Sequence, residues 1–188
     1  MQLRRILTLS IICALAICPL LASSPAATTL TVTITGTLGP VLSGSDPLGA
    51  NGQSGMLTIT ANEGLSPTNV TKASAQYDLP PAAISVALGS FHYVSTTRSR
   101  MMVKLTKTAD ILTVVAGGPL ASTVVGTFYL APGSWNKSVL THPATFQPSP
   151  QTLTAASAAG GAGSQIKYTV TGSSSVLGLT GSASSSAK

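Results

Sequence analysis

Outside its first 26 residues the chain carries four carboxylates, Asp46, Glu63, Asp78 and Asp110, and two histidines, His92 and His142. General acid–base catalysis needs two titratable groups held within reach of one substrate, and no two of these acids are close in sequence. There is no H-E-x-x-H, no G-x-S-x-G and no phosphate-binding glycine loop, the spacings that would give a metal, a nucleophile or a phosphate cradle its geometry. A serine or histidine hydrolase could be assembled on paper from 25 serines. The expectation is nonetheless a protein that is not an enzyme. His92, between Phe91 and Tyr93, reads as a surface histidine on a strand.

Three groups of residues could bind. In the loop from Ser43 to Gln53, Asp46, Asn51 and nearby carbonyls are oxygen ligands of the kind Ca²⁺ takes. The competing reading is a turn, with Asp before Pro47 accepting backbone N–H bonds and Asn51-Gly52 making the next bend. Trp135 stands in a Pro-Gly-Ser-Trp-Asn-Lys loop with Tyr129, Lys137 and His142 nearby, a set that could stack on and hydrogen-bond a carbohydrate. The alternative there is a ring folded back as a loop anchor. Arg98, Arg100 and Lys104 share one parity, and Lys107 extends the group. On a regular strand the three would form a basic stripe that could meet an anionic polysaccharide or lipid headgroups, the competing reading being a solvated strand face that resists edge pairing. Nucleic acid is not expected, because no aromatic platform is interleaved with the charges. The expected partner is an extracellular polysaccharide or another surface protein, with no cofactor beyond the Ca²⁺ reading.

The elements that must hold these residues are strands. Only 14 of 188 residues are charged, 7%, against about 25% in ordinary soluble domains, which excludes coiled coils and charged tails. Leu30, Val32 and Ile34 alternate with Thr29, Thr31, Thr33 and Thr35, and the same period of two returns at 57–60, 72–79, 84–88, 101–106 and 166–171. That is the pattern of half-buried strands with threonine outward. Ile111 to Ala116 and Val124 to Leu130 carry apolar residues on both faces, as in central strands covered on both sides. Turn signals such as Gly39-Pro40, Asn51-Gly52, Pro80-Pro81, Gly117-Gly118-Pro119 and Pro132-Gly133 separate the runs.

The N-terminus reads as an address. Arg4 and Arg5 precede an apolar run from Ile6 to Cys18, and Ser24-Pro25-Ala26 offers the small residues that a signal peptidase recognises. Residues 1–26 are therefore expected to be a cleaved signal peptide, sending the protein to the periplasm or the extracellular space. Both cysteines, Cys13 and Cys18, lie in this leader, so the remainder must fold without disulfides. That remainder has eight basic and four acidic residues, net +4, and no segment suited to spanning a membrane as a helix.

The stretch T-G-T-L-G-P-V-L-S-G-S-D-P-L-G-A-N-G, residues 35–52, together with the Thr-rich strand that follows, resembles a group of functionally unassigned secreted β-rich proteins of environmental bacteria. The resemblance implies an extracellular β architecture and no particular reaction. Some members carry a C-terminal surface-sorting tail with Pro-Glu-Pro, an apolar helix and an arginine run, which the end of this chain, Ser-Ala-Lys, does not reproduce. The expected fold is all-β: an antiparallel β-sandwich, Greek-key or jelly-roll-like, with nine or ten strands over residues 27–181 and a disordered tail at 182–188. The expected role is a non-enzymatic surface or extracellular-matrix component, with carbohydrate or anionic-polymer binding through Trp135 and the 98–107 stripe as the alternative and a secreted hydrolase as the next.

Overall fold

Threonine alternating with aliphatic residues dictates the backbone from the first described strand, since one side chain in two must leave water. The computed structural model describes residues 28–119, 122–145, 150–157 and 162–188. The leader expected at 1–26 lies outside the described residues. The strands are β1 (Thr29–Gly44), β2 (Ser54–Asn62), β3 (Asn69–Val70), β4 (Ser74–Leu79), β5 (Ile84–Leu88), β6 (Phe91–Val94), β7 (Ser99–Leu105), β8 (Asp110–Gly117), β9 (Thr123–Leu130), β10 (Gln151–Leu153), β11 (Gln165–Val170) and β12 (Ser173–Ala187). A 3-10 turn at Lys137–Leu140 is the helical piece among the described residues.

The strands form one continuous sheet in the order β3-β4-β7-β8-β9-β11-β12-β1-β2-β5-β6, with β10 also pairing β12. Every pairing between named strands is antiparallel. This sheet cannot lie flat. β4 and β5 stand eight positions apart in it, about 38 Å at the usual strand spacing, yet only residues 80–83 join Leu79 to Ile84. Five Cα steps reach at most about 18 Å, so the two ends of the sheet must approach. They do: the Tyr93 hydroxyl on β6 donates to the Ala116 carbonyl on β8 at 3.0 Å, and Thr96 N–H donates to Gly117 O at 3.0 Å.

The curl gives all long strands one shared inner face. Leu30, Val32 and Ile34 of β1 pack there with Leu57, Ile59, Tyr77, Ile84, Met101, Val103, Leu112, Phe128, Tyr168 and Leu177 in a single core cluster. Segment 131–145 closes the cluster by placing Trp135, Val139 and Ala144 in it. At the middle of the sheet Gly36 of β1 faces Gly181 of β12, and a Cβ on Gly181 would run into the Thr35 carbonyl oxygen. Glycine at this point is what lets β1 and β12 approach closely.

Several expectations change. The all-β, antiparallel character holds, but hydrogen bonding is continuous through one sheet of twelve strands, where nine or ten strands shared between two sheets were expected. The short β3 and β10 carry too few residues to show a period. The segment 182–188, expected to be disordered, continues β12 as far as Ala187, with Ser182 to Ala187 paired to Thr35 to Leu30. Its Ser/Ala composition lacks bulky side chains, so the pairing is backbone-driven and Ala183 alone enters the core. β8 and β9 bury one face only; outward Ile111, Val115 and Val125 are half-exposed.

Candidate functional site

β7 presents Arg100 and Lys104 to solvent, and Arg98, the residue just before the strand, is exposed as well, while Ser99, Met101 and Val103 between them are buried. The expected parity is therefore the parity of the strand. Register shows what lies beside these cations. One row across the outer surface reads Asp78, Arg100, Val115, Val125 and Lys167; the next reads Gln76, Met102, Thr113, Thr127 and Gln165; the third reads Ser74, Lys104, Ile111 and Tyr129. The result is a face of hydroxyls, amides and half-exposed aliphatics with exposed cations at its margins.

Asp78 is the acid among these rows. Its carboxylate lies 3.5 Å from Arg100 Nε, and both side chains are solvated, so the pair contributes no more than about 0–1 kcal/mol. Asp78 and Arg98 also line two adjoining depressions. One, about 220 Å³, is completed by Ser99, Arg100 and Val115. The other, about 420 Å³, is completed by Leu65, Leu79, Pro80 and Pro81. Spacing decides what this surface can hold. Arg100 and Lys104 are four residues apart on one strand, about 13 Å. Arg100 and Lys167 are three strands apart in one row, about 14 Å. Such gaps suit charges repeated along a chain better than one compact anion.

The Trp135 group does not assemble. Trp135 is 3% exposed, its backbone N–H held at 3.0 Å by buried Asp110. The preceding Ser134 hydroxyl donates to Ala131 O and lies 2.7 Å from Gln151 Oε1. The turn at Pro132-Gly133 thus folds the indole into the core, because its large apolar area gains more there than at the surface. Lys137 and His142 are exposed on the far side of that turn, with His142 Nδ1 3.0 Å from Thr141 Oγ1. Tyr129 stays on the outer face of β9, half-buried opposite Ile111. His92 is exposed on β6 with Nδ1 3.2 Å from Ser90 O.

Asp46 and Asn51 form a turn. The Asp46 carboxylate accepts from Ala50 N–H at 3.0 Å, from Asn51 N–H at 2.8 Å and from the Tyr168 hydroxyl. Burial opposes ionisation of Asp46, but the bonds from Tyr168, Asn51, Ala50 and Leu48 outweigh it and hold the carboxyl below its usual value. The donors occupy both oxygens and tie the loop to β11. Among the described residues, no three His, Cys, Asp or Glu side chains are grouped as a metal would need.

Two participants were not singled out for a site from the sequence. Lys167 belongs to the cationic face, and Asp78 sits beside Arg100 in the same row. Their parity was visible in the sequence; their place in the row of Arg100 depends on long-range register. A second outer surface, where β12, β1, β2 and β5 lie side by side, is neutral. From Thr31 to Thr37 its outward side chains are Thr31, Thr33, Thr35, Thr37, Thr58, Thr60, Ser182, Ser184 and Ser186, with Thr180, Ser54, Met56, Ser85 and Ala87 beside them. Compared with known proteins, the chain matches no family model, no curated protein and no solved structure.

Proposed function

We propose that the chain is an exported, non-enzymatic scaffold of a cell surface or extracellular matrix, and that its cationic face contacts an anionic polysaccharide. The observation that carries this reading is the segregation of charge. Arg98, Arg100, Lys104 and Lys167 stand exposed on one outer surface with Asp78 as its acid, while the rows from Thr31 to Thr37 are neutral. Clustered like charge raises the local concentration of an oppositely charged polymer. The apolar-to-hydroxyl floor between the cations gives sugar rings a surface to lie on.

Support for a scaffold comes from how the titratable groups are used. Asp46 organises a turn, Asp110 anchors the Trp135 loop and Asp78 meets Arg100. Both histidines pair with groups one or two residues away. The continuous sheet doubled over one core supports a sandwich-like reading of the architecture, and the basic-then-apolar leader supports export. Trp135 has no part in this binding reading.

Retention on immobilised polygalacturonate and on neutral dextran tests the proposal. The wild-type chain should bind the polyanion alone and elute as salt rises, because exposed charges are screened beyond about 8 Å at physiological ionic strength. The triple variant Arg98→Ala, Arg100→Ala, Lys104→Ala should lose retention with an unchanged circular-dichroism spectrum. Equal retention of variant and wild type, or equal binding to dextran, would overturn it.

A further inference from the structure

The two ends of the open sheet are protected differently. At one end β3 is only two residues long, and Pro67 and Lys72 flank it; short strands, prolines and lysines are the devices that block edge-to-edge pairing. At the other end β6 runs Phe91-His92-Tyr93-Val94 and continues into Ser95-Thr96-Thr97, with no lysine, proline or acid. Val94 is 49% exposed there. Two lysines on strands lie elsewhere: Lys104 and Lys167 are on strands paired on both sides.

Register specifies which groups of β6 remain available. Ser95 N–H donates to Ile84 O, and β5 pairs with β6 at Val86–Tyr93 and Leu88–Phe91. In an antiparallel ladder the residues that exchange hydrogen bonds alternate, so Phe91, Tyr93 and Ser95 turn their backbone groups toward β5. His92, Val94 and Thr96 turn theirs outward. Thr96 confirms the direction, since its N–H reaches Gly117 O on the approaching β8. Nothing among the described residues takes up the outward N–H and C=O of His92 and Val94.

We infer that β6 is a self-pairing edge: two copies of this chain join antiparallel through β6 about a two-fold axis beside Tyr93. In that register each outward His92 lies opposite the partner copy's outward Val94, and all four available groups on each side are satisfied. The arrangement is self-complementary and closes at two copies. It places no like charge opposite like charge, because β6 carries none of the cations. It also extends the neutral surface of β1, β2 and β5 from one copy into the next, leaving both cationic faces outward.

The test combines light scattering on the purified chain with residue-resolved amide exchange across a concentration series. A dimer should form as concentration rises, with the His92 and Val94 amides becoming protected and the Thr96 amide protected throughout. Val94→Lys and Val94→Pro should each raise the dimer dissociation constant by about tenfold or more. Neither removes a bond within the chain, because the Val94 N–H points away from β5, and an unchanged circular-dichroism spectrum would establish that both still fold. A chain that stays monomeric throughout, a dimer with unprotected His92 and Val94 amides, or growth into open-ended assemblies would each overturn the inference.

Discussion

Three tyrosines whose rings are buried set a limit on this fold at high pH. Burial pushes Tyr77, Tyr93 and Tyr168 each up to about 12, with the Asp46 carboxylate adding to the effect at Tyr168. Their hydroxyls donate to Val139 O, Ala116 O and the Asp46 carboxylate, bonds that a phenolate cannot make. In the unfolded chain a tyrosine ionises near 10. The folded value is the higher one, so the contribution is complete below pH 10 and disappears as pH rises to about 12. A shift of that size is on the order of 2–3 kcal/mol per tyrosine at most, a sizeable part of the about 5–15 kcal/mol that holds a whole domain. We expect cooperative loss of the sheet between pH 10 and 12, with tyrosinate absorbance rising together with loss of the β circular-dichroism signal. Tyr77→Phe, which leaves Val139 O without its donor at about 1 kcal/mol, should lower stability at pH 7 and flatten the alkaline decline. If these three residues titrate near pH 10 while the sheet signal persists, the reasoning fails.

Two further perturbations address the core and the central strand pair. Trp135→Ala removes a buried ring and should cost about 3–5 kcal/mol in urea unfolding, while the wild-type emission should be blue-shifted and insensitive to added polysaccharide; a red-shifted, ligand-responsive indole would contradict the buried placement. Gly181→Ala drives a Cβ toward Thr35 O and the Gly36 Cα, for a loss of about 1–3 kcal/mol. At about 2–4 °C of Tm per kcal/mol for a chain of this size, a scanning calorimetry trace identical to wild type would refute the close approach of β1 and β12.

Much of the local structure was legible because a strand with one wet face writes itself into the residues two by two. Leu30-Val32-Ile34 and Ala75-Tyr77-Leu79 point inward as the alternation requires, and Arg98, Arg100 and Lys104 point outward together. Trp135 was ambiguous. A lone indole beside Pro-Gly suits either a binding loop or an anchor, and the decision came from Asp110 and Gln151, 25 and 16 residues away along the chain. Tyr168 likewise reads as one more inward strand residue; that its hydroxyl closes the Asp46 loop depends on a contact spanning 122 positions.

Composition and period alone determined that this chain is made of strands, that threonine faces water, that two of its ten basic residues, Arg4 and Arg5, stand in the first 26 positions and that residues 27–188 contain no cysteine to cross-link. Those properties follow from each residue and its immediate neighbours. The tertiary structure decided that the strands share one curled sheet, that the Ser/Ala-rich end becomes an internal strand, that Lys167 joins the row of Arg100 and that β6 rather than β3 is left unguarded. All four depend on which distant strands pair. Backbone hydrogen bonds are chemically the same for every residue pair, so their partners are chosen by loop length and by the shape of the shared core.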